Sequence, residues 1–165
     1  LRQRGLTVEI LSGDLAAPVA KVAGALGIET WRAGLTPAEK SEAIASRGRD
    51  GRRVLMVGDG LNDAPALANA HAAMAPGSAL DASQNAADLV FSGEGLGAVV
   101  AALDVARSAR GRALENFAFA ALYNLIAAPA AMFGFINPFV AALAMSGSSL
   151  VVTLNALRTG RGRTS

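Results

Sequence analysis

The chain of 165 residues contains no cysteine, so no disulfide can staple it and no thiolate can serve as nucleophile or metal ligand. It has one tryptophan, one tyrosine and one histidine, and no basic patch interleaved with aromatics of the kind that reads nucleic acid. The sequence pI near 9.7 therefore does not point to DNA or RNA. Charge is missing over a long stretch. From Asn116 to Leu157, 42 residues, there is not one Asp, Glu, Lys or Arg.

That uncharged run is about twice the ~20 apolar residues one helix needs to cross a bilayer. It divides at Gly134-Phe135-Ile136-Asn137-Pro138, a helix-ending glycine followed by an Asn-Pro turn signal. The pattern predicts an all-α transmembrane hairpin over 113–157, with spans at 113–135 and 138–157. Arg107, Arg110 and Arg112 precede it and Arg158, Arg161 and Arg163 follow it, which predicts a multi-pass protein of the plasma or inner membrane with both hairpin ends cytoplasmic and lipid as a partner. A buried hairpin in a soluble protein is the alternative, and a signal peptide is excluded because the run is C-terminal.

The residues before the run read as α/β. Leu6–Leu11 is expected to be a strand ending at Ser12-Gly13-Asp14, and Leu15–Leu26 a helix stopped by Gly27. Thr36-Pro37 opens a second helix, with Glu39 completing a capping box. Val54–Val57 has the short apolar form of a buried strand. Asn62–Asn69 is expected to be a short helix, Ala72–Ala75 and Leu89–Phe91 strands, and Leu96–Arg112 a helix running towards the hairpin. The expected divisions are an α/β domain over 1–95, a linker helix over 96–112, the hairpin, and a Gly/Arg-rich tail over 158–165. The start at Leu1 without methionine suggests the C-terminal part of something larger.

In parallel α/β sheets ligands gather at the carboxyl ends of strands, where Asp14 and Asp59 fall. Mg²⁺ takes carboxylate oxygens and keeps several waters, so Asp59 and Asp63 can supply a direct and a supporting carboxylate. Gly58 and Gly60 allow close backbone approach. Asn62 can donate to a phosphate oxygen, Ser12 offers a hydroxyl, and Lys40 can neutralise charge on a transferring phosphoryl group. Each residue alone has a plain structural reading: Gly-Asp-Gly is a common turn and a helix lysine is usually solvated. His71 reads as structural, Trp31 as packing, and Glu115 as a headgroup-level charge.

The ordered set Ser12-Gly13-Asp14, Pro37-x-x-Lys40 and Gly58-Asp59-Gly60-Leu61-Asn62-Asp63-Ala64-Pro65 resembles the later motifs of the haloacid dehalogenase superfamily as they occur in P-type ATPases. The resemblance implies a partial Rossmann-type parallel sheet and magnesium-dependent phosphorylation driven by ATP. It places phosphate at Ser12, where relatives carry Thr, phosphoryl charge at Lys40 and Mg²⁺ at Asp59, with Gly13, Asp14, Asn62 and Asp63 completing the site. The nucleophilic aspartate of an Asp-Lys-Thr-Gly string is not in the sequence, and neither are the nucleotide-binding and actuator domains. The chain alone is therefore expected to be inactive.

Within the uncharged run, Tyr123-Asn124 and Met145-x-x-Ser148-Ser149 are polar interruptions, and polar groups at membrane depth are functional hypotheses. Helical spacing puts Met145 with both hydroxyls on one face, and a thioether suits Cu(I) where hard ions call for carboxylates. Gap-filling by Met145 and close helix approach at Ser146–Ser149 is the alternative. The two signatures resemble the last two helices of copper-transporting P-type ATPases, which implies Cu⁺ as transported substrate and a copper chaperone as partner. The Cys-Pro-Cys motif of that family is not in this sequence. A membrane-anchored phosphatase of the same superfamily and a pump for another heavy metal are the rival readings.

Overall fold

The computed structural model describes residues 1–59, 61–93, 95–135 and 137–157, in two compact units, Leu1–Val100 and Ala101–Ser165. Gly60 and the tail 158–165, with Arg158, Arg161 and Arg163, lie outside the described residues.

In the first unit β1 (Glu9–Leu11) leads through α1 (Ala16–Leu26) to β2 (Thr30–Arg32), which pairs with it in parallel, Ile10 opposite Trp31. Gly27 stops α1 as expected: it sits at φ 61° and the following Ile28 N–H donates to Ala23 O at 2.8 Å. α2 (Pro37–Arg49) starts with the expected capping box, Thr36 N–H donating to Glu39 Oε2 at 2.8 Å while Glu39 N–H donates to Thr36 Oγ1 at 3.3 Å. The Thr36 backbone N–H and then the Thr36 hydroxyl, which donates to Glu39 Oε2 at 2.8 Å, hold the Glu39 pKa below its ordinary 4.5. Next come β3 (Leu55–Val57), a single 3₁₀ turn at Leu61–Asp63, α3 (Ala64–Asn69), β4 (Ala72–Pro76), α4 (Asp81–Ala86) and β5 (Leu89–Phe91).

The strands form two parallel sheets, β1–β2 and β3–β4–β5, instead of one continuous sheet. One core lies under both, built from Ile44 of α2, Met56 of β3, Ala66 and Leu67 of α3 and Ala73 of β4, with Leu11 of β1 and Val54 packed against it. Two of its members are small, Ala66 at 0% and Ala73 at 2% exposure, which lets α3 approach β4 closely. Leu67, at 1% exposure, is the largest apolar side chain so deeply buried, and contributes about 1.5–3 kcal/mol by leaving water. Strand β2 and helix α4 were not foreseen. All three residues of β2 are exposed, so it lacks the alternation that would announce it, and α4 is a six-residue helix around the buried Ser83.

In the second unit α5 (Gly97–Met132), begun in the first, runs on without a break from the expected linker into the expected first span. Gly134, at φ 76°, ends it, with Phe135 N–H donating to Ala130 O at 2.9 Å, and α6 (Pro138–Leu157) follows. The helical pair is thus present, but its expected transmembrane character is not supported: among the described residues no helix is long and apolar enough to cross a membrane. The run is uncharged yet not uniformly apolar. Glu115, Asn116, Tyr123, Asn124 and Pro129 dilute α5, and Asn155 and the serines dilute α6.

Candidate functional site

Strand β1 delivers Ser12-Gly13-Asp14 at its carboxyl end. Ser12 N–H donates to Arg32 O at 2.9 Å and Leu35 N–H returns to Ser12 O at 3.0 Å, so the loop is pinned on both sides. The Ser12 hydroxyl donates to Asp14 Oδ2 at 2.9 Å and accepts from Asp14 N–H at 3.2 Å, a local turn that makes Asp14 an orienter of Ser12. Gly13 is needed sterically, since a Cβ there would stand 3.2 Å from Leu35 O.

The capping box fixes where α2 begins, and Lys40 follows it by one residue. Its ammonium donates to Asp63 Oδ1 at 2.8 Å, with side-chain exposures of only 10% and 12%. Asp63 occupies the N-cap position of α3 but makes no capping bond with its side chain. An aspartate there would ordinarily satisfy the helix amides. Here it turns to Lys40.

Gly58 explains why it can. A Cβ at Gly58 would fall 2.9 Å from Asp63 Cβ and 3.0 Å from Asp63 Oδ2, so only glycine leaves room for the carboxylate. Its φ is not among the positive ones, so close approach and not an unusual dihedral is what calls for glycine here. Ser41 adds a polar staple that the sequence reading missed: its hydroxyl donates to Pro65 O at 3.3 Å and accepts from Asn69 Nδ2 at 2.6 Å. Helices α2 and α3 are thereby fastened at both ends of the motif. Asp59 and Asn62 are left exposed, in the loop and turn that this fastening holds.

The donor set fits a hard divalent ion. Asp59 is an open carboxylate at a strand end, Asp63 is neutralised by Lys40 and suits a supporting role, and Mg²⁺ takes its remaining ligands from water and phosphate. Among the described residues no group of three or more His, Asp, Glu or Cys could form an all-protein cage.

In the second unit Tyr123 is half-buried and Asn124 exposed, Met145 is 68% exposed, and Ser148 donates its hydroxyl to Met145 O at 2.8 Å. Thr153 donates to Ser149 O at 2.8 Å. Among the described residues no hydrogen bond joins Tyr123 or Asn124 to Met145, Ser148 or Ser149. The polar junction of the two helices lies elsewhere: Asn155 donates to Asn116 Oδ1 at 2.8 Å and to Glu115 Oε2 at 3.3 Å, and accepts from Arg112 Nη1 at 3.4 Å. Sequence reasoning missed it, although a lone amide in the apolar stretch Leu150–Leu157 was a usable signal.

Residues 1–71 match the family of haloacid dehalogenase-like hydrolases. Over those residues the first unit is similar to a haloacid dehalogenase-like domain. The whole chain resembles longer proteins that carry this domain. It is 52% identical over 158 residues to the nitrogen fixation protein FixI of Bradyrhizobium diazoefficiens, covering 96% of this chain and 22% of that one. It is 41% identical to the cation-transporting P-type ATPase B of Mycobacterium leprae, covering 96% and 21%. A zinc-transporting PIB-type ATPase in its E2.Pi state superposes with a TM-score of 0.87 over 97% of this chain and 26% of its own, at 32% identity. Homologues of this haloacid dehalogenase-like domain thus include cation-transporting P-type ATPases, and the chain spans about a fifth of the length of the curated relatives it matches.

Proposed function

We propose that this chain is the rear part of a Cu(I)-translocating P-type ATPase, and that it supplies the phosphate-holding side of the phosphorylation site and part of the metal path. The observation that carries the reading is the buried Lys40–Asp63 pair seated against Gly58, with Asp59 left open beside it. A buried ion pair is a costly way to stabilise a fold, since apolar residues of the same volume do as well or better. Placed at the strand ends it makes sense as a pre-set cation for phosphate.

In this reading the Ser12 hydroxyl gives up its bond to Asp14 Oδ2 and donates its one proton to a phosphate oxygen while still accepting from Asp14 N–H, and the Lys40 ammonium keeps further protons for the same group while Asp63 holds it in place. Asn62 donates from the turn. Asp59, with Asp63 in support, would hold Mg²⁺, which would supply positive charge against the phosphate. The attacking carboxylate and the ATP site belong to the remainder of the longer chain, so these residues bind and neutralise but do not attack.

Copper as cargo rests on Met145 with Ser148, Ser149, Tyr123 and Asn124, a set with a soft thioether and no carboxylate. Large apolar side chains on both helices are exposed, among them Phe117, Leu125, Met132, Phe139 and Leu150. We take their cover to be further helices of the longer chain within the cell membrane, with a copper chaperone delivering the ion. A second reading, zinc or another heavy metal as cargo, is favoured by the likeness to the zinc-transporting ATPase and opposed by the uncharged run.

The test is metal-stimulated ATP hydrolysis by the full-length parent. Cu⁺ stimulation is expected to fall at least about tenfold in Met145→Leu/Ser149→Ala, the equivalent of about 1.4 kcal/mol. Stimulation by Zn²⁺ with no response to Cu⁺ would move the cargo to the second reading. ATP hydrolysis that ignores every metal would leave only the phosphatase.

A further inference from the structure

The end of β3 away from Asp59 opens on a cavity of about 330 Å³, lined by Arg52, Arg53, Asn69 and His71 over a floor that includes Ile44 and Val54. Arg52 to Val54 directly precede β3, so this cavity and Asp59 lie at opposite ends of the strand, on the order of 15 Å apart at ~3.3 Å per residue. It is a separate place from the phosphorylation site.

Most neighbouring cations in this unit are occupied. Arg47 bonds both oxygens of Glu9, Arg49 pairs with Glu42, Lys40 with Asp63, and Arg2 donates to Leu26 O. Among the described residues the guanidinium groups of Arg52 and Arg53 have no such partner. No acidic side chain lines the cavity. Asp50 precedes it without reaching it, and Asp88, on the same side of the sheet, is already engaged by Ala73 N–H at 2.8 Å.

The local field favours an anion even after the helix ends are counted. α2 and α3 both terminate here, each contributing at most about −0.5 of a charge, against two full positive charges. Of the two arginines and two helix ends alone, about one net positive charge remains. Two adjacent planar guanidiniums, with an imidazole and a carboxamide beside them, match the several oxygens of a phosphate better than a point charge would.

We propose that this cavity is a second anion site that takes a phosphate group, either free phosphate or the phosphate of a lipid headgroup. The proposal does not use Ser12, Lys40 or any metal, so it stands or falls apart from the phosphorylation reading.

The test holds the full chain in amphipol and follows the backbone amide signals of Val54 and His71 while inorganic phosphate, or soluble dihexanoylphosphatidic acid, is added. Saturable shifts are expected with both probes. Arg52→Gln/Arg53→Gln should weaken them at least about tenfold, with the fold verified by Trp31 fluorescence. Arg49→Gln, which removes one charge already paired, should leave them unchanged. Tighter binding of the phosphatidic acid assigns the site to lipid, and binding no tighter than inorganic phosphate assigns it to the free ion. The proposal is overturned if neither probe saturates, if the double substitution changes nothing, or if Ser12→Ala removes the shifts, which would place the phosphate at the other end of β3.

Discussion

Removing Asp63 strands a buried cation, and the size of the loss measures how far the Lys40–Asp63 pair is cut off from water. At 2.8 Å the gross attraction is about 6 kcal/mol for an effective dielectric near 20. Desolvation of two side chains that are only 10% and 12% exposed cancels most of it, so the pair's net contribution is small. Breaking one half has no such cancellation. Asp63→Ala is expected to cost about 3–5 kcal/mol, a large share of the ~5–15 kcal/mol that holds an ordinary domain. Gly58→Ala attacks the same pair from the other side, since its new Cβ would need the space of Asp63 Cβ and Oδ2. The double change Lys40→Met/Asp63→Leu should cost clearly less than the two single changes added together, because it leaves no orphan charge. Urea unfolding followed by Trp31, the chain's one indole, reads this unit directly. The reasoning is refuted if Asp63→Ala costs under about 1 kcal/mol and the pair is additive, which is how a hydrated surface ion pair behaves.

Other outcomes follow from the same geometry. Leu67→Ala should lower stability by about 2–5 kcal/mol in the same urea assay, because its 1% exposure leaves the vacated space nothing to relax into but small alanines. Glu39 has a lowered folded pKa, so its contribution is present above its ordinary value of 4.5 and is lost as pH falls through the folded value. Unfolding midpoints measured between those two pH values should therefore drop less in Glu39→Gln than in the parent chain. Asn155→Leu should loosen the helical pair by about 1–3 kcal/mol by freeing Glu115, Asn116 and Arg112 at once, read as faster proteolysis at the Gly134 turn in detergent.

What the sequence disclosed depended on whether the cause of a feature was local. The capping box at Thr36–Glu39, the stops at Gly27 and Gly134 and the strand at Leu55–Val57 are set by neighbours a few residues away, so they were readable. β2 was not, because its support is pairing with β1 across the length of α1 and packing against α1. The separation into two sheets was likewise invisible, for strand neighbours are set by distant segments. At the site, the candidate residues were legible one by one but not as a constellation. No spacing rule joins Lys40 to Asp63 across 23 positions, and none tells that Gly58 exists to make room for that aspartate. Ser41 and Asn155 escaped for the same reason, being hydroxyl and amide hubs whose partners lie far along the chain. For the hairpin, counting charges takes no account of the amides, the tyrosine and the proline, which weigh against insertion without carrying charge.

The division into two sheets bears on how the site works. Among the described residues β1 pairs only with β2, and β3 only with β4, so each keeps one edge without a strand partner. Both nevertheless pack on one core, Leu11 of β1 against the cluster that holds Met56 of β3. Buried strand edges demand partners, and all pairings seen here are parallel. A parallel strand seated between β1 and β3 would satisfy both edges, and its carboxyl end would emerge beside Ser12 on one side and Asp59 on the other. A residue at that end would lie where the Ser12 hydroxyl, the Lys40 ammonium and the Asp59 carboxylate can all serve one phosphoryl group. A peptide strand that pairs with both edges should protect the Leu11 and Val57 amides from hydrogen exchange together, whereas protection of only one would mean the two edges do not face the same gap.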